Sequence, residues 1–202
     1  MNKYNTVIDR KCFQYYLAGL LMALLCAPAL AQKKYEREYD IKPEAVPARA
    51  MKFISSVFKN SRIRWYGEES LTGRSIEAKL KDSGKWYSIE FDVSGQIQDI
   101  EIRIKMNQIH EKARTLLKDN LSRVFTRYKV TKTQLQWKGN ENALKQALLS
   151  DKLPEGVETR YELVLRATKD KKAGYYEVLC ESNGAIVRIS EIVQRNADNL
   201  IY

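Results

Sequence analysis

The sequence predicts an α+β fold: two tandem helix-plus-antiparallel-sheet repeats, with the helices packed on one face of the sheet. Three observations carry this. Short segments with apolar residues at alternate positions recur between turn signals, the period of a strand with one dry face. Each group of such segments follows a stretch with helical spacing. Finally, Tyr87 to Gly95 and Tyr176 to Gly184 span the same eight-residue interval, each ending on a turn signal, Ser94-Gly95 and Asn183-Gly184.

Residues 1–31 read as a signal peptide. Lys3, Arg10 and Lys11 make the start positive, and an uncharged run extends from Leu17 to Cys26. That run is far short of the roughly 20 residues a membrane-spanning helix needs and fits a signal-peptide core. Pro28 ends it, and the small residues Ala29 and Ala31 place cleavage before Gln32. The expectation is export to the periplasm or beyond, with no spanning segment after processing. Lipidation at Cys26 is disfavoured because Leu25, not a small residue, precedes it.

Residues 32–46 are polar and charged and contain Pro43, which reads as a tether; residues 47–105 form the first unit. Pro47 suits a first helical turn, and Met51, Ile54, Val57 and Phe58 follow at helical steps. Alternating strands come next: Ile63 and Trp65, then Ile76, Ala78 and Leu80, then Tyr87, Ile89, Phe91 and Val93, then Ile100, Ile102 and Ile104. The second unit, 106–195, repeats the order. Ile109, Ala113, Leu116, Leu117, Leu121 and Val124 have helical spacing, and strands follow around Val130–Trp137, Tyr161–Leu165, Tyr176–Cys180 and Ile186–Ile192. An insert at 139–158 holds a short helix capped by Asn140, either a lid or loop decoration, and residues 196–202 are a tail. A half-buried sheet is unstable alone, so the helices must cover its apolar face; the opposite face is expected to be open to water.

The composition excludes several classes. The 202 residues are 44% hydrophobic with a net charge of +10, an ordinary folding chain. Of three cysteines two lie within 1–31, which rules out a disulfide scaffold and a four-cysteine zinc site. The third, Cys180, sits beside Val178 and Leu179 and reads as a small buried apolar group. The basic excess has no run interleaved with stacking aromatics, so nucleic acid is not an expected partner.

The segments Pro47 to Ile54, Phe58 to Ile63 and Tyr87 to Gly95 resemble the PepSY-like, beta-lactamase-inhibitor-like family of exported bacterial proteins. The likeness covers 43–104 well and 107–193 more loosely. It implies tandem helix-plus-sheet units joined into one curved sheet and a non-enzymatic role in binding or inhibition. It carries no catalytic residues across.

The residues supply little chemistry of their own. The single histidine, His110, is one helical surface residue beside Glu111, not part of a triad. Phosphate-binding glycine loops and calcium loops are absent, and no metal or cofactor is expected. Carboxylates cluster at Glu68-Glu69 and, on facing registers, at Glu77 and Glu90; on an outward face they would pair with Lys79, Lys81 or Arg103, and a carboxylate-dependent hydrolase is the least favoured reading. What remains is a binding surface on the helix-free face: Arg62, Arg64, Tyr66, Lys79, Trp86, Glu90, Tyr175 and Glu177. Trp, Tyr and Arg are enriched at interface hot spots, and Trp86 and Tyr175 precede the matching core residues Tyr87 and Tyr176. The favoured expectation is an exported binding or inhibitory protein that presents this open face to an unknown protein partner in the cell envelope, such as a peptidase or a sensor. The alternative is a binder of a small ligand or of an acidic envelope surface.

Overall fold

The computed structural model describes residues 32–150 and 152–193. The signal-peptide reading of 1–31 and the tail 196–202 lie outside the described residues. The chain order is β1 (Gln32–Lys34), β2 (Glu36–Asp40), α1 (Ala48–Val57), β3 (Ile63–Ser70), β4 (Gly73–Asp82), β5 (Lys85–Asp92) and β6 (Ile97–Arg103). Then come α2 (Glu111–Val124), β7 (Arg127–Lys138), α3 (Glu141–Leu149), β8 (Glu158–Lys169), β9 (Lys172–Glu181) and β10 (Ile186–Ile192).

All ten strands form one sheet in the order β1-β10-β9-β8-β7-β6-β5-β4-β3-β2. From β3 to β10 each strand lies antiparallel to its sequence neighbour. The two ends of the order belong to one short stretch of chain. β1 pairs with β10 in parallel, β2 pairs with β3 antiparallel, and only Tyr35 separates β1 from β2. Residues 32–40 are therefore a strap bonded to both edges of the curled sheet, and the polar tether read from their composition is corrected. Flanking amides extend the bonding: Ile41 N–H donates to the Trp65 carbonyl and Val193 N–H to the Lys34 carbonyl, each at 3.0 Å. Over Ser190–Ile192 of β10 and Tyr66–Ser70 of β3 the strap occupies edge that another chain could otherwise extend.

Apolar side chains from the helices and from one set of alternating strand positions fill two clusters. In the first, Phe53 of α1 meets Phe91 of β5 edge-on, with ring centroids 5.8 Å apart, and Trp65, Ile89 and Ile100 close around them. In the second, Leu117 and Leu121 of α2 lie among Leu163, Leu165, Val178 and Cys180. The Cys180 thiol is buried, which pushes its pKa up to about 12.

The insert helix α3 begins as its sequence suggests, with Asn140 Oδ1 accepting from Ala143 N–H at 2.9 Å. Its Leu144 is fully buried in the first cluster, so the insert is part of that core. Two turn glycines hold helices close to hairpins. Gly184 has φ +91°, and a Cβ there would stand 2.1 Å from the Ala113 carbonyl oxygen at the start of α2; Gly95, at φ +81°, would crowd Pro47 and Ala50.

The other set of alternating positions is largely withdrawn from open water along the middle of the strands, while Trp86 and Tyr175 near the turns stay exposed. It lines the inside of the curl, which corrects the open face expected from the strand pattern. Period-two alternation assigns a residue to a face; it says nothing about whether that face is later enclosed.

Candidate functional site

Inside the curl is a cavity of about 710 Å3 with walls contributed by all ten strands. Strand register shows how its polar residues come together. Glu77 of β4, Glu90 of β5 and Asp99 of β6 are direct partners across three neighbouring strands. One step along, Lys79 faces Ser88 and Ser88 faces Glu101. Gln134 of β7 faces Glu162 of β8, and Val164 faces Glu177 of β9. Glu38 of the strap faces Glu68 of β3. Like charges placed directly opposite destabilise a sheet, so a row of three carboxyl groups needs a compensating cause.

Lysine and arginine side chains supply part of that cause. Lys79 Nζ lies 2.6 Å from Glu38 Oε2 and 3.0 Å from Glu77 Oε2. Glu38, Glu68 and Glu77 each bring a carboxylate oxygen within 4.8 Å of the others, a spacing that suits a metal ion, but the Lys79 ammonium already stands beside two of them. Across the cavity Lys34 of the strap is hydrogen-bonded to Glu177, which is only 3% exposed, and lies 3.0 Å from Glu36. Arg188 reaches the second oxygen of Glu177 at 3.2 Å, and Lys138 lies 3.6 Å from Asp99. Burial alone would lower the Lys34 ammonium, yet Glu177, Glu162 and Glu36 outweigh it and raise its pKa well above the usual value.

Four carboxyl groups of the lining, Glu68, Glu90, Glu101 and Glu162, have no cation within 4.0 Å among the described residues. Glu68 accepts from Ser75 Oγ at 3.2 Å and Glu101 from Gln134 Nε2 at 2.5 Å. Burial, reinforced by Glu77, Glu36 and Glu90, pushes Glu68 up to about 9. Burial also raises Glu101 to about 8 against the pull of Lys132, and Asp99 to about 7 with Glu90 adding to the shift. Glu90 is raised by burial despite a hydrogen bond from Ser75, and Glu162 is raised well above the usual range by burial, Glu101 and Glu177. In each case a charge in a poorly hydrated space is disfavoured, and a second carboxylate nearby adds to the cost.

The residues expected to form an open docking face are distributed differently. Tyr66, Lys79, Glu90 and Glu177 are on the cavity side; Glu177 is buried and the other three are half-buried, which corrects their assignment as exposed contacts. Arg64 is exposed on β3 and Arg62 lies outside the strands. Trp86 and Tyr175 are 55% and 37% exposed. They belong to cavity-side positions near the β4–β5 and β8–β9 turns, which share one end of the sheet. Lys81 Nζ lies 5.5 Å from the Trp86 ring centroid. His110 is exposed immediately before α2. Sequence reasoning placed Glu77 and Glu90 on facing registers but missed Asp99, Glu101, Glu162, Lys34 and Gln136. The polar member of each alternating pair was visible in every strand; the sign that these members share an interior was not.

No family model matches the chain, and no curated protein matches it. Among the described residues no helix is long and apolar enough to cross a membrane. Among solved structures, a protein of Bacteroides eggerthii described as periplasmic shares the fold with a TM-score of 0.50 and 10% identity, over 77% of this chain and 94% of that one. A DUF2874 family protein of Bacteroides ovatus scores 0.49 at 9% identity, over 72% and 87% of the two chains. A BLIP-like protein of Bacteroides fragilis scores 0.48 at 11% identity, over 76% and 92%. At 10% identity the likeness to the Bacteroides eggerthii protein is one of fold.

Proposed function

We propose that this chain is an exported, non-enzymatic binding protein that holds a small polar ligand in the chamber of its curled sheet. The observation that carries the reading is the strap. Because residues 32–40 bond to both edges of the sheet, the charged face surrounds a partly open cavity of about 710 Å3. That volume is within the roughly 300–1,000 Å3 of small-molecule sites. Export rests on the composition of residues 1–31.

A hydrolase is the weaker reading. Acid–base catalysis by two carboxyl groups needs environments that drive their pKa values apart. Here Glu68, Glu90, Asp99, Glu101 and Glu162 are all shifted in the same direction by burial. Docking of a protein partner, such as an envelope peptidase or sensor, is the second reading, favoured by the exposure of Trp86 and Tyr175 at one end of the sheet.

A thermal-shift screen of polar metabolites against the wild-type protein and Ser88→Trp tests the first reading, because Ser88 lines the cavity between Lys79 and Glu101 and an indole there would intrude on it. Ligand-induced stabilisation lost in Ser88→Trp supports the chamber; stabilisation retained in that variant places the ligand elsewhere. Capture of an envelope protein that vanishes in the Trp86→Ala, Tyr175→Ala double variant and persists in Ser88→Trp would favour the docking surface instead.

A further inference from the structure

We propose, building on the chamber as a ligand site, that its ligand is a linear organic polycation, with ammonium groups on short methylene spacers, laid along the Glu77–Glu90–Asp99 row and reaching Glu68, Glu101 and Glu162. The geometry supplies the match. Register partners on adjacent strands are one interstrand step apart, about 4.8 Å, so the row presents carboxyl groups at regular intervals across three strands. The cavity is far larger than one metal ion requires, and the tightest carboxylate trio already has the Lys79 ammonium beside it.

An independent polar group points the same way. Gln136 is 7% exposed and lines the cavity, and its Oε1 has no hydrogen-bond partner among the described residues, while its Nε2 is engaged with Asp99 at 3.4 Å. Buried acceptors are normally satisfied, and a free carbonyl oxygen beside the carboxyl row suits an N–H donor. Glu162, 9% exposed and also in the lining, adds a carboxyl group with no cation within 4.0 Å among the described residues. Lys34 and Lys132, both in the lining, act on Glu101 and Glu162, and neither ammonium lies within 4.0 Å of either carboxyl group. A cation bound beside the raised carboxyl groups would favour their ionised form and so release their protons.

Calorimetric titration of the purified protein with spermidine tests this, run in two buffers of different ionisation enthalpy. Separate arms use magnesium alone, calcium alone and sorbitol, and the variants are Glu90→Gln and Glu162→Gln, with Glu69→Gln as a control. Glu69 pairs with Arg37 and Arg74 and is not among the cavity-lining residues. The expected result is saturable spermidine binding with proton release, weakened at least about tenfold in either chamber variant, unchanged in Glu69→Gln, and weakened by added salt. Circular dichroism confirms that the variants fold; should one not, the other carries the comparison. Equal binding by the chamber variants and wild type, or binding of the metal ions without spermidine, overturns the assignment. Binding of sorbitol or another neutral ligand in the chamber without spermidine overturns the polycation and leaves the chamber reading intact; no binding of any class overturns both.

Discussion

The two sides of the sheet are built from alternate residues of the same strands, yet they are stabilised by opposite means. On one side Ile89, Phe91, Ile100, Leu163 and Val178 are fully buried against helices, and their contribution comes from removing apolar area from water. On the other, Glu77, Asp99, Glu162 and Glu177 are also nearly buried, in a space whose charges are only partly matched. Burial therefore strengthens the fold on the first side and weakens it on the second unless each charge is paired or neutralised. The second side persists because the first holds the strands and because the strap ties the edges with both hydrogen bonds and the Lys34–Glu177 pair.

The sharpest break is expected on the helix side. Gly184→Ala sets a Cβ against the Ala113 carbonyl in a left-handed turn, and should cost about 4 kcal/mol or more, in the range reserved for strained or overpacked sites. Urea denaturation of the soluble fraction would show it, or the variant will be recovered only unfolded. Leu163→Ala, at a fully buried position, should cost about 2–5 kcal/mol by the same measurement.

On the chamber side Lys34→Met is expected to cost less, about 1–3 kcal/mol, since Arg188 still reaches Glu177. Hydrogen exchange should then quicken across residues 32–40 before the rest of the sheet opens; unchanged protection there would show that backbone pairing alone holds the strap.

The carboxyl groups should reverse the usual sign of a buried-site substitution. Glu68, Glu101 and Asp99 are raised from 4.5, 4.5 and 3.8 to about 9, 8 and 7. As pH rises the unfolded chain releases these protons first. Their favourable contribution is thus complete below about pH 4, falls progressively as pH rises from there, and is fully lost once pH has climbed through about 7 to 9. These groups should therefore lower the melting temperature progressively from about pH 4 to about pH 9, and Glu68→Gln should flatten the decline and exceed the wild type in stability at pH 9. A wild-type profile that rises toward pH 9 would contradict a protonated chamber. The smallest effect belongs to Trp86→Ala and Tyr175→Ala, exposed positions expected to change stability by less than about 0.5 kcal/mol.

The positions of α1, α2 and α3, and of strands β3 to β10, were legible because each carries its own period: Met51, Ile54, Val57 and Phe58 recur at helical steps through α1, although its buried side is Ala50, Phe53 and Ile54 and Met51 is 39% exposed, and Ile76, Ala78 and Leu80 mark one face of β4. Asn140 announced α3, and Ser94-Gly95 and Asn183-Gly184 announced turns. The strap was not legible. Glu36 to Asp40 has too few apolar residues to show a strand period, and its pairing depends on edges that exist only after β3 and β10 have formed. Gly67 illustrates the same dependence: its missing Cβ leaves room for the Tyr39 ring of the strap, a contact between residues far apart in sequence.

Local composition and spacing determined which residues are helical or extended and which face of each strand is apolar, because those properties follow from side-chain period within a few residues. Tertiary structure alone decided that the polar face is an interior. That outcome requires strand curvature accumulated over the whole sheet and a second bonding partner for each edge. Both place Glu77, Glu90, Asp99 and Glu177 in a shared, poorly hydrated space.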